Sequence, residues 1–196
     1  MSDEKQLRQA KKRDKKVYIT DIAIEKVPYV EYRGMDEEQN KNMQKLARLI
    51  LRIAKTENDS NEVAVTWDMT SRSIERYGID RGDEYGVCLG GNPISYHLLN
   101  AGEKVVLVLL HNHPSTRTFS LEDIYLLIGQ DNLKYMVTVS NQGQIHYIKK
   151  EEDFNAQNAG MMYNRIRSEG KKQGIGVYQM SLIFLKRCDE VGLFYR

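Results

Sequence analysis

The spacing of apolar residues changes several times along the chain, and each change predicts an element. From Val17 to Val27 (VYITDIAIEKV) the alternation predicts a strand, limited by Pro28 and followed by the turn YRGMDEE. From Asp36 to Lys55 the period becomes helical. Met43, Leu46, Ala47, Ile50 and Leu51 form one stripe, with Lys and Arg on the opposite face. EVAVTWDM, Glu62 to Met69, is rich in β-formers and predicts the next strand. SIERYGIDRGDEYGVCLG predicts two more short extended pieces with glycines at the turns. Asn92-Pro93 has the residues of a helix start, Asn as cap and Pro at the first helical position, and Gly102 marks the stop. Lys104 to Leu110 is continuously apolar after its first residue and predicts a strand buried on both faces. A helix is expected from Ser120 (LEDIYLLIGQ), then a hairpin of Lys134 to Ser140 and Gln144 to Lys149 around SNQGQ. The last part predicts two helices, Glu151 to Glu169 and Val177 to Val191, joined by EGKKQGIG.

This is an α/β pattern. It divides into a basic tail over residues 1–16, one domain over 17–150 and a helical extension over 151–196. A chain of 196 residues can bury a core of useful size. Net charge is only +2, yet MSDEKQLRQAKKRDKK concentrates Lys and Arg with almost no large apolar side chain. It reads either as a solvated tail or as a contact for nucleic acid or another anionic surface. Two distant cysteines, Cys88 and Cys188, form no C-x-x-C and predict reduced thiols in a cytoplasmic setting. The charged start lacks the apolar stretch of a secretory leader, and no apolar run approaches the ~20 residues of a membrane span.

The candidate chemistry lies in HNHPSTRTFSLED, residues 111–123. In an extended segment, residues two apart face the same way, so His111 and His113 present both rings to one side while Asn112 points to the other. Two imidazoles and a carboxylate from Asp123 make a three-ligand set with a fourth tetrahedral position free, the mark of catalytic rather than structural zinc. Ser120 to Asp123 also fits a capping box that needs no metal. His97 and His146 read as packing or surface residues. Arg117, beside the candidate site, reads as a solvated loop residue or a substrate contact.

His-x-His-Pro, a short loop and Ser-x-x-Asp resemble the motif of the JAMM/MPN+ zinc metalloproteases. The variant His-Asn-His-Pro-Ser is most similar to their RadC-like branch, and the likeness spans residues 37–150. It implies a mixed sheet flanked by helices, with zinc on His111, His113 and Asp123. Ser120 would lie near the reacting carbonyl, and a glutamate on an earlier strand would act as general base. Glu62 fits that position, with Glu75, Glu84 and Glu103 as rivals in turns or beside helix ends. Six residues separate His113 from Ser120, one fewer than the family commonly has. The implied activity is hydrolysis of a peptide or isopeptide bond in a protein substrate, including conjugates of ubiquitin-like modifiers. The resemblance leaves two other expectations: a non-catalytic MPN scaffold, or a RadC-like factor acting near DNA through the basic start.

Overall fold

The computed structural model describes residues 16–71, 74 and 76–196, so the basic start up to residue 15 and the rival Glu75 lie outside the described residues. Among the described residues, no helix is long and apolar enough to cross a membrane. Six strands, β1 (Val63–Asp68), β2 (Tyr77–Arg81), β3 (Leu107–His113), β4 (Leu133–Ser140), β5 (Ile145–Lys150) and β6 (Leu193–Tyr195), form one mixed sheet. Its order is β2-β1-β3-β4-β5-β6. β3 and β4 are parallel, and every other neighbouring pair is antiparallel. The parallel pair needs a crossover, which α4 (Leu121–Gly129) supplies between them. The fold is therefore α/β, as the apolar pattern predicts, and helices lie on both sides of the sheet.

On one face lie α1 (Asp21–Glu25) and α2 (Glu37–Glu57). The stripe of α2 (Met43, Leu46, Ala47, Ile50, Leu51) packs on Val63, Val65, Trp67, Val108, Leu110 and Val137. On the other face lie α3 (Pro93–Leu99), α4, α5 (Ala156–Lys172) and α6 (Val177–Leu185). Their apolar sides share a core with Ala64, Leu107, Leu109, Met136 and Ile148. Strand β3 is buried along its whole length, which explains why residues 107–110 are apolar without alternation. Its odd-numbered positions from Leu107 to His113 face the layer of four helices, and Val108, Leu110 and Asn112 face the other way.

Several expectations are corrected. The segment 17–27 is not a strand: residues 17–20 join no strand or helix, and Thr20, itself extended, caps α1 by accepting from Ala23 N at 3.1 Å. The alternation there suggested a strand, but a hydroxyl cap before Asp21 and buried Ile19, Ala23, Ile24 and Val27 favour one helical turn packed on α2. Of the two extended pieces expected after β1, only β2 forms among the described residues. The Asp83 carboxylate accepts from Tyr85 N (2.7 Å) and Gly86 N (3.1 Å), curling GDEYG into a turn. Residues Gly102–Lys104 form a 3-10 turn, so β3 starts at Leu107, and the two histidines belong to the strand itself rather than to the loop after it. Helix α5 begins later than expected, at Ala156, because Asn155 provides the cap by accepting from Asn158 N at 2.9 Å. The final helix ends at Leu185. A 3-10 turn (Cys188–Val191) and Gly192, at φ 74°, then redirect the chain into β6, which had no helical or alternating signature.

Candidate metal centre

Three elements converge at the end of β3. Strands β1 and β3 are antiparallel with Ala64 opposite His111, so continuing two residues further sets Glu62 against His113 on the same face of the sheet. From the other side comes the first turn of α4. Its cap is reciprocal: Ser120 Oγ accepts from Asp123 N (3.1 Å), and Asp123 Oδ2 accepts from Ser120 N (2.7 Å) and Ser120 Oγ (2.7 Å). This fixes the Asp123 carboxylate with Oδ2 engaged and Oδ1 turned to His111.

The result is a buried cluster. His111 Nε2 and His113 Nε2 are 2.9 Å apart. Asp123 Oδ1 lies 3.4 Å from His111 Nε2, and Asp123 Oδ2 lies 3.5 Å from His113 Nε2. Glu62 Oε1 is 3.8 Å from His111 Nε2. His111 is 2 % exposed and Glu62 7 %, so neither group can discharge its polarity to bulk water. Two donors bound to one tetrahedral ion at about 2.0–2.1 Å would sit about 3.3 Å apart, and the Asp123–imidazole distances match that span. Glu62, His111 and His113 by themselves form a buried group able to hold a metal ion. Asp123 stands beside this group, so two imidazoles and two carboxylates lie close together, a donor set that suits a divalent cation and does not identify which. The capping box forms, and the same Asp123 carboxylate lies within 3.5 Å of both imidazoles, so the cap leaves the metal reading open.

The second ring nitrogen of His113 strengthens the fit. Its Nδ1 lies 3.1 Å from the carbonyl oxygen of Arg117. Donation from Nδ1 to that carbonyl leaves Nε2 with its lone pair aimed into the cluster, the arrangement a metal-ligating histidine requires. The electrostatics point the same way. Burial alone would lower the His113 pKa, but the hydrogen bond and charge of Asp123, with Glu62 and the Arg117 carbonyl, raise it on balance. Burial alone would raise Asp123, but the two imidazoles hold it well below the usual carboxylate range. Glu62 is raised, chiefly by burial, with the histidines opposing. The cluster draws positive charge to itself.

An open cleft of about 940 Å³ lies over the cluster. Val87, Leu89, Phe119 and Leu126 give it apolar wall, while Lys16, Glu84, Arg117 and Glu122 add charge. Of the rival glutamates, Glu84 lines this cleft but is exposed, and Glu103 is exposed in the 3-10 turn. His97 is exposed on α3, and His146 stacks on Tyr195 at 6.2 Å, so neither joins the cluster. Arg117 lies 4.9 Å over the Tyr178 ring. The Arg117 carbonyl and the α6 residues Val177 and Tyr178 at the cleft were not visible in the sequence: a main-chain atom leaves no residue signature, and α6 lies far along the chain. Comparison with protein-family models, curated proteins and solved structures found no match, so the site rests on its own geometry.

Proposed function

We propose that the chain is a metal-dependent hydrolase of the JAMM type, with zinc as its ion, cutting a peptide or isopeptide bond in a protein substrate. The observation that supports this reading is the close cluster of His111, His113 and Asp123, with the buried Glu62 carboxylate beside His111 under an open cleft. A divalent ion held there supplies Lewis acidity, which acidifies water toward neutral pH and polarises a carbonyl.

The protein's own groups do the rest. His111, His113 and Asp123 hold the ion. Glu62 takes the proton of the attacking water at its carboxylate and passes it to the leaving amine; burial, by raising its pKa, brings it nearer the operating range of a general base. Ser120 orients Asp123 through its hydroxyl. To donate to the oxyanion, that hydroxyl turns from Oδ2, while the Ser120 N–H keeps the carboxylate in place. The apolar wall of Val87, Leu89 and Phe119 offers an extended substrate segment a place to bury side chains. A ubiquitin-like conjugate is one protein substrate of the required chemistry.

The test is metal analysis of the purified protein together with a broad screen of amide and isopeptide substrates. One bound zinc per chain is expected, with cleavage falling on the order of 10²–10⁴-fold in Glu62→Gln. Absence of tightly held metal, or equal cleavage by Glu62→Gln, overturns the reading.

A further inference from the structure

The residue between the two histidines faces away from the cluster, yet it is fully buried and every polar atom of its side chain is engaged. Asn112 Oδ1 accepts from Val63 N at 2.7 Å. Asn112 Nδ2 donates to Asn61 O at 3.1 Å and to Asn141 Oδ1 at 2.7 Å. One N–H and two oxygens around the carboxamide leave only one way to orient it. Its two main-chain partners are the residues on either side of Glu62.

The rest of the surroundings point to the same place. The Glu62 backbone is held at both ends, with its N–H on Asp83 O (3.0 Å) and its carbonyl taking Gly82 N (2.8 Å) and Asn58 Nδ2 (2.9 Å). Asn141 extends the link: its backbone N–H donates to His113 O at 3.1 Å, and its side chain donates to Ser60 O at 2.9 Å and Val17 O at 2.7 Å. An unbroken chain of hydrogen bonds therefore runs from the His113 backbone through Asn141 and Asn112 to both neighbours of Glu62. Asp59 and Ser60, just upstream, stand in the left-handed region at φ 48° and 58°. That backbone is costly for non-glycine residues and persists only where surrounding bonds enforce it.

We propose that Asn112 is a positioning residue that sets the placement of Glu62 relative to the His111–His113 pair. It touches neither ion nor substrate and acts through the backbone flanking Glu62. An apolar side chain of equal size would leave Val63 N–H and two oxygens unpaired in the interior. The inference rests on the metal reading above.

The test is a double-variant cycle on the full chain. Co²⁺ is titrated into the parent, Asn112→Ala, Glu62→Gln and the combined variant, and the visible absorption bands are recorded. The buried Glu62 carboxylate lies in one group with both imidazoles, 3.8 Å from His111 Nε2, and adds negative charge to the cation site whether or not it ligates. Displacing it through Asn112→Ala in the parent is expected to weaken Co²⁺ binding by about 10-fold and to shift the bands. In the Glu62→Gln background the same change is expected to move affinity by less than about 2-fold and to leave the bands in place. Equal losses in both backgrounds overturn the proposal, because Asn112 would then be supporting the histidine strand as a whole. A parent that binds no Co²⁺ overturns the metal reading itself, and this inference with it. Asn112→Asp, which keeps the size and the acceptor for Val63 N–H but loses both donors, carries the same expectation if the alanine variant does not fold.

Discussion

Replacing Ser120 separates its two roles in one measurement. As the cap of α4 its hydroxyl accepts from Asp123 N; as a donor it holds Asp123 Oδ2 at 2.7 Å. Removing a serine cap costs about 1 kcal/mol when alanine replaces it, but only a few tenths when glycine does. The donated bond goes to an ionised carboxylate, a class worth roughly 1.5–3 kcal/mol net. Here it is discounted because the Asp123 side chain is 17 % exposed and water can partly replace the hydroxyl. In chelator, so that metal linkage does not enter, Ser120→Ala is expected to lose about 1–2 kcal/mol, a fall in Tm of about 2–8 °C for a chain of this size. The diagnostic variant is Ser120→Gly. If the hydroxyl were only a cap, glycine would cost a few tenths; because it also holds Asp123, the expected loss is about 1 kcal/mol. Urea unfolding of the three proteins reads these differences as midpoint shifts at constant slope. A Ser120→Gly midpoint indistinguishable from the parent would refute the claim that the hydroxyl matters to Asp123.

Two further predictions concern groups away from the cluster. Burial pushes the Lys150 ammonium from its ordinary 10.5 down to about 8. Between those values the unfolded chain holds more protons than the folded one, so stability is expected to rise with pH across that window. Lys150→Met should flatten the rise in urea midpoints, and an unchanged pH profile in that variant would refute the assignment. Burial pushes the Cys188 thiol up to about 11, whereas Cys88 is exposed. Brief alkylation of the folded protein at neutral pH, read by mass spectrometry, is expected to label Cys88 and leave Cys188 untouched; a label on Cys188 contradicts that burial.

The cluster was readable in sequence because its members obey local rules. His111 and His113 share a face by the two-residue period of a strand, and Ser120 and Asp123 by the geometry of a helix cap. Glu62 was reachable only as a residue opening a strand, since its place opposite His113 depends on the β1–β3 register, which no local pattern encodes. The same limit explains the misread elements. In 17–27 the apolar alternation hid the Thr20 cap, and β6 is too short to have a period. The Asn112 link escaped for a different reason: its partners, Asn61 O and Val63 N, are main-chain atoms about fifty positions away, and sequence records side chains only.

His113 is held in its tautomer by the Arg117 carbonyl, not by a side chain. Drift at position 117 therefore leaves the anchor standing whatever residue appears there. What can dislodge it is a change in the number of residues between His113 and Ser120, because that number decides which carbonyl arrives beneath the ring. For this anchor, insertion and deletion are the damaging events, and replacement of the Arg117 side chain is the benign one.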